Sequence, residues 1–438
     1  MELMENKKIK TYLDLVCSKI KFKDIHGNIK EEILDHIENI VLENLEKGLS
    51  LEESIDIGIK QIGDPYILGE GLNKVHKPKP EWSILALTSI FIIIGIVSIY
   101  TMILYGVETE WRMIKNSIKM FLFGIAIVVG LYYFDYRKIK IFSKYIYIGT
   151  SILLVMGKGE SIINFGFFRR IHGVVRIFTT DITYITPFLY AIALSGIFSE
   201  GRWRKEKLLS NLVILFLPII LILGFQSSRT TPIIMYFTMV LTLILISGGN
   251  IKYILGSIGC GITIVLIQIL NNPYQIERLK NLVNPLRDPL GSGYMNVQLR
   301  SLISSAGFLG NRMNLVDTTQ IPIIKMPEMH TDYIFSYIVY AFGWLAGIIL
   351  IGLTIIFFIR LIKTIKTIED NYGKLLVATF SSLFIIQFLY NILMILGLTP
   401  IASISMPFIS YGTILNTINM IMIGIISSIY RRKDLVTQ

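Results

Sequence analysis

Asp332 stands where a polar stretch of this 438-residue chain meets an apolar one, at the end of Lys325-Met-Pro-Glu-Met-His-Thr-Asp332. A carboxylate at such a boundary is costly unless it is paired or at work. Partial desolvation raises a carboxyl's pKa toward the range in which it accepts a proton as a general base. His330 lies two residues away. A plainer reading of the same residues is structural: Thr331 or Asp332 could cap the helix that follows. The polar stretch runs from Asn271 to Asp332 and also holds Asn284-Pro-Leu-Arg-Asp-Pro-Leu-Gly-Ser-Gly-Tyr294, Gln298 and Ser304-Ser-Ala-Gly-Phe-Leu-Gly310. Pro and Gly fix turns, so this is a folded loop. Loops of this length inside a folded domain usually carry function, an ordered plug without chemistry being the alternative.

Those residues need a scaffold, and composition says which kind. The chain is 53% hydrophobic and 17% charged, where soluble proteins average about 25% charged. Apolar runs recur from Trp82 to Tyr430, many of them close to the roughly twenty residues a helix needs to cross a bilayer. In hydrocarbon every backbone polar group must be satisfied within its own segment, so the runs are helices. The expected architecture is all-α: a polytopic membrane domain, 81–438, of about ten spans with one long extracellular loop, 271–332. The spans are expected at 83–105, 117–134, 144–157, 180–198, 208–226, 230–247, 252–270, 333–361, 373–397 and 411–430. Basic residues follow the second span (Arg137, Lys138, Lys140), the fourth (Arg202, Arg204, Lys205), the eighth (Lys363, Lys366) and the tenth (Arg431, Arg432, Lys433). The positive-inside rule turns these clusters, and with them both termini, toward the cytoplasm and leaves 271–332 outside. The net charge of +11 therefore signals orientation in the cytoplasmic membrane before nucleic acid, and no nucleic-acid partner is expected.

The first 80 residues differ, with 12 Lys against 15 Asp and Glu. Ile29, Ile33, Ile37, Ile40 and Val41 fall at helical spacing among Glu31, Glu32, Asp35 and Glu38. Ser50-Leu-Glu-Glu53 reads as a capping box, and Gly63-Asp64-Pro65 as a stop and turn. A small cytoplasmic helical prefix domain is expected, joined to the membrane part by Pro78 and Pro80, with a cytoplasmic partner or self-association as its use. No secretory signal peptide is expected in so polar a start. His26 and His36 read as members of a solvated helix face, and Cys17 and Cys260 as unpaired thiols.

Three fragments then carry a resemblance: "NPLRDPLGSGYMNVQ", "KMPEMHTDYIFSYI" and, at Leu396–Gly412, "LGLTPIASISMPFISYG". In this order they resemble successive signatures of the SEDS family (shape, elongation, division and sporulation proteins, similar to FtsW, RodA and SpoVE), over about residues 83–435. The resemblance implies a peptidoglycan glycosyltransferase that polymerises lipid II beside a class B penicillin-binding protein and other cell-wall synthesis proteins. It makes Asp332 the base that accepts the acceptor sugar's 4-hydroxyl proton. The leaving group, undecaprenyl pyrophosphate, needs positive charge nearby. Lys325, Arg287 and Arg300 in the loop, and Arg169, Arg170 and Arg176 before the fourth span, are the candidates. His330, Asp288, Gln298, Asp181 and Ser410 complete the expected substrate-binding set.

The chain departs from the family's pattern in places. Asp181 replaces a Glu in Arg176-Ile-Phe-Thr-Thr-Asp181, Tyr184 stands for a Lys, Gln226-Ser-Ser-Arg-Thr-Thr231 lacks an Asp, and Tyr340-Ala-Phe-Gly343 lacks a Glu. A divergent member is implied. No His/Asp cluster with ligand spacing demands a metal, though a divalent cation such as Mg2+ could assist the diphosphate. Two other functions fit parts of the sequence. A lipid II flippase or transporter would place ionisable groups near the bilayer midplane, whereas the best carboxylate here is at the outer edge. A non-catalytic scaffold would suit the prefix domain and the lost motif residues, but has no use for Asp332.

Overall fold

Side-chain caps set the first helices. In the computed structural model, which describes residues 6–75, 80–108, 110–156, 168–171, 174–177, 180–201, 208–225, 230–249, 251–271, 273–310 and 326–433, the Asn6 side chain accepts from Lys8 N and starts α1 (Lys7–Ser18). In α2 (His26–Glu46) Ile29, Ile33, Ile37 and Val41 face inward, as their spacing requires. The Ser50–Glu53 capping box opens α3 (Leu51–Ile62) with bonds in both directions. Gly63, at φ +104, ends it, and Asp64 Oδ1 accepts from Tyr66 N and Ile67 N to begin α4 (Pro65–Val75). The inward faces meet in one core that includes Ile9, Leu13, Val16, Ile37, Val41 and Ile55. The chain divides into two units between Pro80 and Glu81, and Tyr430–Gln438 belongs with the first. In that unit Arg432, only 3% exposed, pairs with Asp24 at 2.9 Å. His36 is exposed on α2, and His26 Nε2 lies 2.9 Å from the Ile20 carbonyl oxygen.

The second unit, Glu81–Ile429, is a polytopic membrane protein, α-helical apart from one small sheet. Among the described residues five helices are long and apolar enough to cross a membrane: α5 (Trp82–Leu104), α6 (Arg112–Tyr133), α16 (Trp344–Lys366), α17 (Asn371–Ile395) and α18 (Thr413–Arg431). A five-residue α7 (Arg137–Ile141) links α6 to the first of five further apolar helices, α8 (Ser143–Met156), α9 (Thr186–Phe198), α10 (Leu208–Phe225), α11 (Thr231–Ile246) and α12 (Ile251–Asn271). α17 is buried along nearly its whole length and packs on α9, α11 and α16. The long loop contributes α13 (Pro273–Val283) and α14 (Tyr294–Ser305).

The expected span pattern needs two corrections. The run 333–361 is not one helix: α15 (Ile334–Phe342) ends at Gly343, and α16 starts beyond it. Gly343 sits at φ +90, and a Cβ there would come within 2.6 Å of Leu309 C. The loop segment Gly307–Gly310 lies against this break, where Gly307 O accepts from Trp344 N and Phe308 O from Leu345 N, capping α16. Apolar content does not change across Gly343, so hydropathy cannot register the break. The fourth span also starts later than residue 180. Residues Phe168–Ile171 (β1), Val174–Ile177 (β2) and Thr180–Asp181 (β3) form an antiparallel sheet, order β1-β2-β3, before α9. Its β-branched residues Ile171, Val174, Val175 and Ile177 suit extended strands.

Between α17 and α18 the chain is irregular yet buried from Met406 to Ser410, as the Pro407 and Gly412 pair leads one to expect. Phe408 holds φ +66, a costly angle for a residue with a side chain. Its ring offsets that cost, lying 5.4 Å from Phe384 and 6.3 Å from Phe357 in an aromatic cluster that also takes Phe91 and Phe388. α5 seats on the same turn through Gly95, where a Cβ would stand within 2.9 Å of Ile409 Cα. Gly95→Val is expected to force α5 off this turn, destabilising the protein by about 1–3 kcal/mol and lowering Tm in detergent. A variant as stable as the parent would show that the close approach is dispensable.

Candidate active site

The turn Met326–Tyr333 carries Asp332, and its backbone is unusual. Glu328 has φ +58; it and Phe408 are the two non-glycine residues with positive φ among the described residues. Both lie in the loops that meet here, and stored backbone strain of this kind clusters at working sites. The turn closes through Thr331 N and Tyr333 N, which both donate to Glu328 O. The Thr331 hydroxyl donates to Glu328 Oε2 at 2.7 Å. Neither Thr331 nor Asp332 caps α15, whose N-cap position is Tyr333 with no side-chain bond. The capping role is therefore removed.

Asp332 is largely buried, and burial pushes its carboxyl up to about 7, helped by the Glu328 charge and opposed by a hydrogen bond from Ser403. This is a carboxylate tuned to exchange protons near neutrality. Ser403 also bonds the Tyr184 hydroxyl, which in turn reaches Thr231 and lies within electrostatic range of Arg278. Arg278 and Gln275 of α13 line a cavity of about 210 Å3 whose other walls are mostly apolar, among them Ile233, Ile264, Tyr390 and Ile401. A largely apolar chamber with a guanidinium in its wall suits a ligand with a hydrocarbon tail and an anionic head.

Of the expected binding residues, His330 and Ser410 come to the Asp332 turn. His330 Nδ1 lies 2.6 Å from Glu108 Oε1. Ser410 is 4% exposed, and its hydroxyl is fully engaged, donating to Thr331 O at 2.7 Å and accepting from Met406 N at 2.8 Å; it holds the turn in place. Asn391, inside the expected ninth span, donates to both Asp332 O and Ile404 O.

The loop's other candidates bond within the loop. Asp288 accepts from Gly291 N, Ser292 N and the Ser292 hydroxyl, bonds that hold its carboxyl below the usual range and fold the Asn284–Tyr294 turn. Arg287 lies 3.8 Å from Glu277, Arg300 donates to Leu282 O at 3.3 Å, and Gln298 is half-buried on α14. In the β-sheet, Arg176 pairs in register with Arg169 on one side and Asp181 on the other, and Arg170 with Val175. Lys325 lies outside the described residues, as do 226–229 of the Gln226–Thr231 motif. Sequence reasoning passed over Glu108, Ser403 and Arg278. Ser403 stands inside the third signature fragment, while Glu108 and Arg278 carry no local signal.

The family model for the cell cycle proteins FtsW, RodA and SpoVE matches residues 81–435. The peptidoglycan glycosyltransferase MrdB of Escherichia coli K12 is 26% identical over 336 residues, covering 74% of this chain and 88% of its own length. The peptidoglycan glycosyltransferase RodA of Treponema pallidum is 33% identical over 185 residues, 42% of each chain. The chain thus spans less than half the length of some curated relatives it matches. A chain from a solved peptidoglycan synthase complex, in which polymerization and crosslinking are coordinated, matches with TM-score 0.63 at 17% identity, covering 81% of this chain and 98% of that one. At that identity the likeness speaks for the fold.

Proposed function

Because this chain belongs to the FtsW, RodA and SpoVE family of cell cycle proteins, we propose that it polymerises lipid II into the glycan strands of peptidoglycan, in division, elongation or sporulation. The observation that carries this reading is Asp332: a carboxyl raised to about 7 on a strained turn, linked through Ser403 to Tyr184, which lies within electrostatic range of Arg278 in the wall of a largely apolar cavity. The acceptor's 4-hydroxyl oxygen attacks the donor's anomeric carbon as its proton passes to Asp332. The bond from that carbon to the diphosphate oxygen breaks, and undecaprenyl diphosphate leaves with the electron pair. Configuration at the carbon inverts. Arg278 stabilises the diphosphate while the cavity takes the first isoprene units, with Lys325, Arg169, Arg170 and Arg176 as further cations. The basic clusters support a cytoplasmic location for both termini and hence an outward-facing Asp332, in the cytoplasmic membrane. A class B penicillin-binding protein is the partner that cross-links the product.

The test is direct. Purified full-length protein, with and without a candidate class B penicillin-binding protein, receives lipid II in detergent. Glycan polymer from the parent that disappears in Asp332→Ala supports the proposal. A folded parent that makes no polymer with any partner, or moves lipid II across vesicles without polymerising it, overturns it.

A further inference from the structure

Three consecutive carbonyls of the Asp332 turn are each held by a different donor. His330 O accepts from Tyr411 N at 2.8 Å, Thr331 O from Ser410 Oγ at 2.7 Å, and Asp332 O from Asn391 Nδ2 at 2.8 Å. All three donors come from the last fifth of the sequence. The turn's link to α5 is of another kind: it runs through a side chain, from His330 Nδ1 to Glu108 Oε1 at 2.6 Å.

Glu108 is not a loose surface carboxylate. Val107 N and Glu108 N both donate to Met102 O, at 2.8 and 3.1 Å, wrapping the end of α5. Gly106, at φ +71, permits that wrap. One turn back, the Thr101 hydroxyl accepts from Tyr337 OH at 3.0 Å, so this end of α5 is also fastened to α15. The two side chains of the pair are 20% and 23% exposed. The His330 ring meets Tyr411 edge-on at 5.6 Å, and Asn116 Nδ2 donates to the Tyr411 hydroxyl at 3.3 Å. The imidazole is therefore fixed on two sides.

An ionised carboxylate only accepts hydrogen bonds, so Nδ1 is the protonated nitrogen of the pair. The other ring nitrogen, Nε2, has no hydrogen bond among the described residues. We infer that Glu108 is a positioning residue: it fixes His330 in the Nδ1–H tautomer, so that Nε2 presents its lone pair to a hydroxyl of the sugar bound beside Asp332. The inference rests on the polymerase reading of this site.

Glu108→Gln separates this role from a structural one. The amide keeps the size and the contact, but offers Nδ1 either an oxygen or an N–H. The tautomer is then no longer dictated, a change that lowers turnover while leaving the fold intact. In full-length protein with lipid II and its transpeptidase partner, kcat is expected to fall about tenfold or more. KM should stay within about twofold, because the lost interaction acts in the transition state, and Tm should not move. Glu108→Asp restores the carboxylate and should recover part of kcat. Nitrogen-15 NMR of histidine-labelled protein reads the tautomer itself, with His330 assigned from His330→Gln. The parent should show a protonated Nδ1, and Glu108→Gln should populate the other form. A parental kcat in Glu108→Gln overturns the inference, as does an unchanged tautomer. So does a loss of kcat that follows Tm equally in both variants. Failure of the polymerase reading looks different: the parent itself makes no polymer, while the NMR signature still reports what Glu108 does.

Discussion

Asp332→Asn is expected to lower the rate of glycan polymerisation by about 10²–10⁴-fold, the usual cost of losing a general base. In the parent, the same residue should set the acid side of the pH profile. With its carboxyl raised to about 7, kcat/KM should rise as pH passes through neutrality and stand about tenfold lower near pH 6 than on the plateau. A profile flat down to pH 5 would remove Asp332 from the proton-transfer step.

Stability should move the other way. The carboxyl's ordinary value is 3.8, and the folded value is higher, so the native state binds the proton more tightly than the unfolded chain. That contribution is complete below about pH 4 and is lost as pH rises to the folded value near 7. Above neutrality the parent carries an ionised, largely buried carboxylate beside Glu328. Asn carries no charge. Asp332→Asn should therefore unfold at a higher temperature than the parent at pH 8, by an amount that shrinks toward pH 5. An inactive variant that is more stable at alkaline pH is what a site that sacrifices stability for chemistry produces. Equal Tm differences at pH 5 and pH 8 would contradict burial as the origin of the raised pKa.

The parts of this architecture written in local patterns could be read directly. The Ser50–Glu53 capping box, the inward stripe of α2 and the apolar runs of the membrane unit each depend on neighbours a few residues apart. Asp332 was legible for a related reason, since a carboxylate at the edge of an apolar run is conspicuous whatever the fold. What escaped depends on residues brought together from afar. Glu108 meets His330 across 222 positions of sequence. The break at Gly343 is imposed by a loop segment, Gly307–Gly310, that lies more than thirty residues earlier. Arg287, Asp288 and Arg300 were conspicuous for their charge, yet their bonds fold the loop. Arg278, in an ordinary amphipathic helix, is the one that lines the cavity. Charge in a sequence marks cost, and only the fold says whether that cost is met by solvent, by a turn or by a site.

Asn391→Leu is expected to separate the anchoring of Asp332 from its chemistry. Asn391 Nδ2 donates to Asp332 O at 2.8 Å and to Ile404 O at 2.6 Å, joining α17 to the two loops that build the site. Leu is of similar size but leaves both carbonyls without that donor, and Ile404 is buried. An orphaned buried acceptor costs about 1–3 kcal/mol, although hydrogen bonds inside membrane proteins have averaged nearer 0.6 kcal/mol when measured. Leu also removes a defect, because Asn391 Oδ1 is itself a buried acceptor without a partner among the described residues. Two carbonyls lost against one acceptor relieved leaves a net destabilisation of about 1–3 kcal/mol, seen as a lower Tm in detergent. The effect on turnover should exceed what that loss explains. Displacing a base by about 1 Å can cost about 10²-fold in rate, and Asp332 loses the bond to its own carbonyl. At an assay temperature well below the variant's Tm, polymerisation should fall by at least about tenfold. A variant with lowered Tm but parental turnover at that temperature would assign Asn391 to packing alone and leave the turn held by Ser410 and Tyr411.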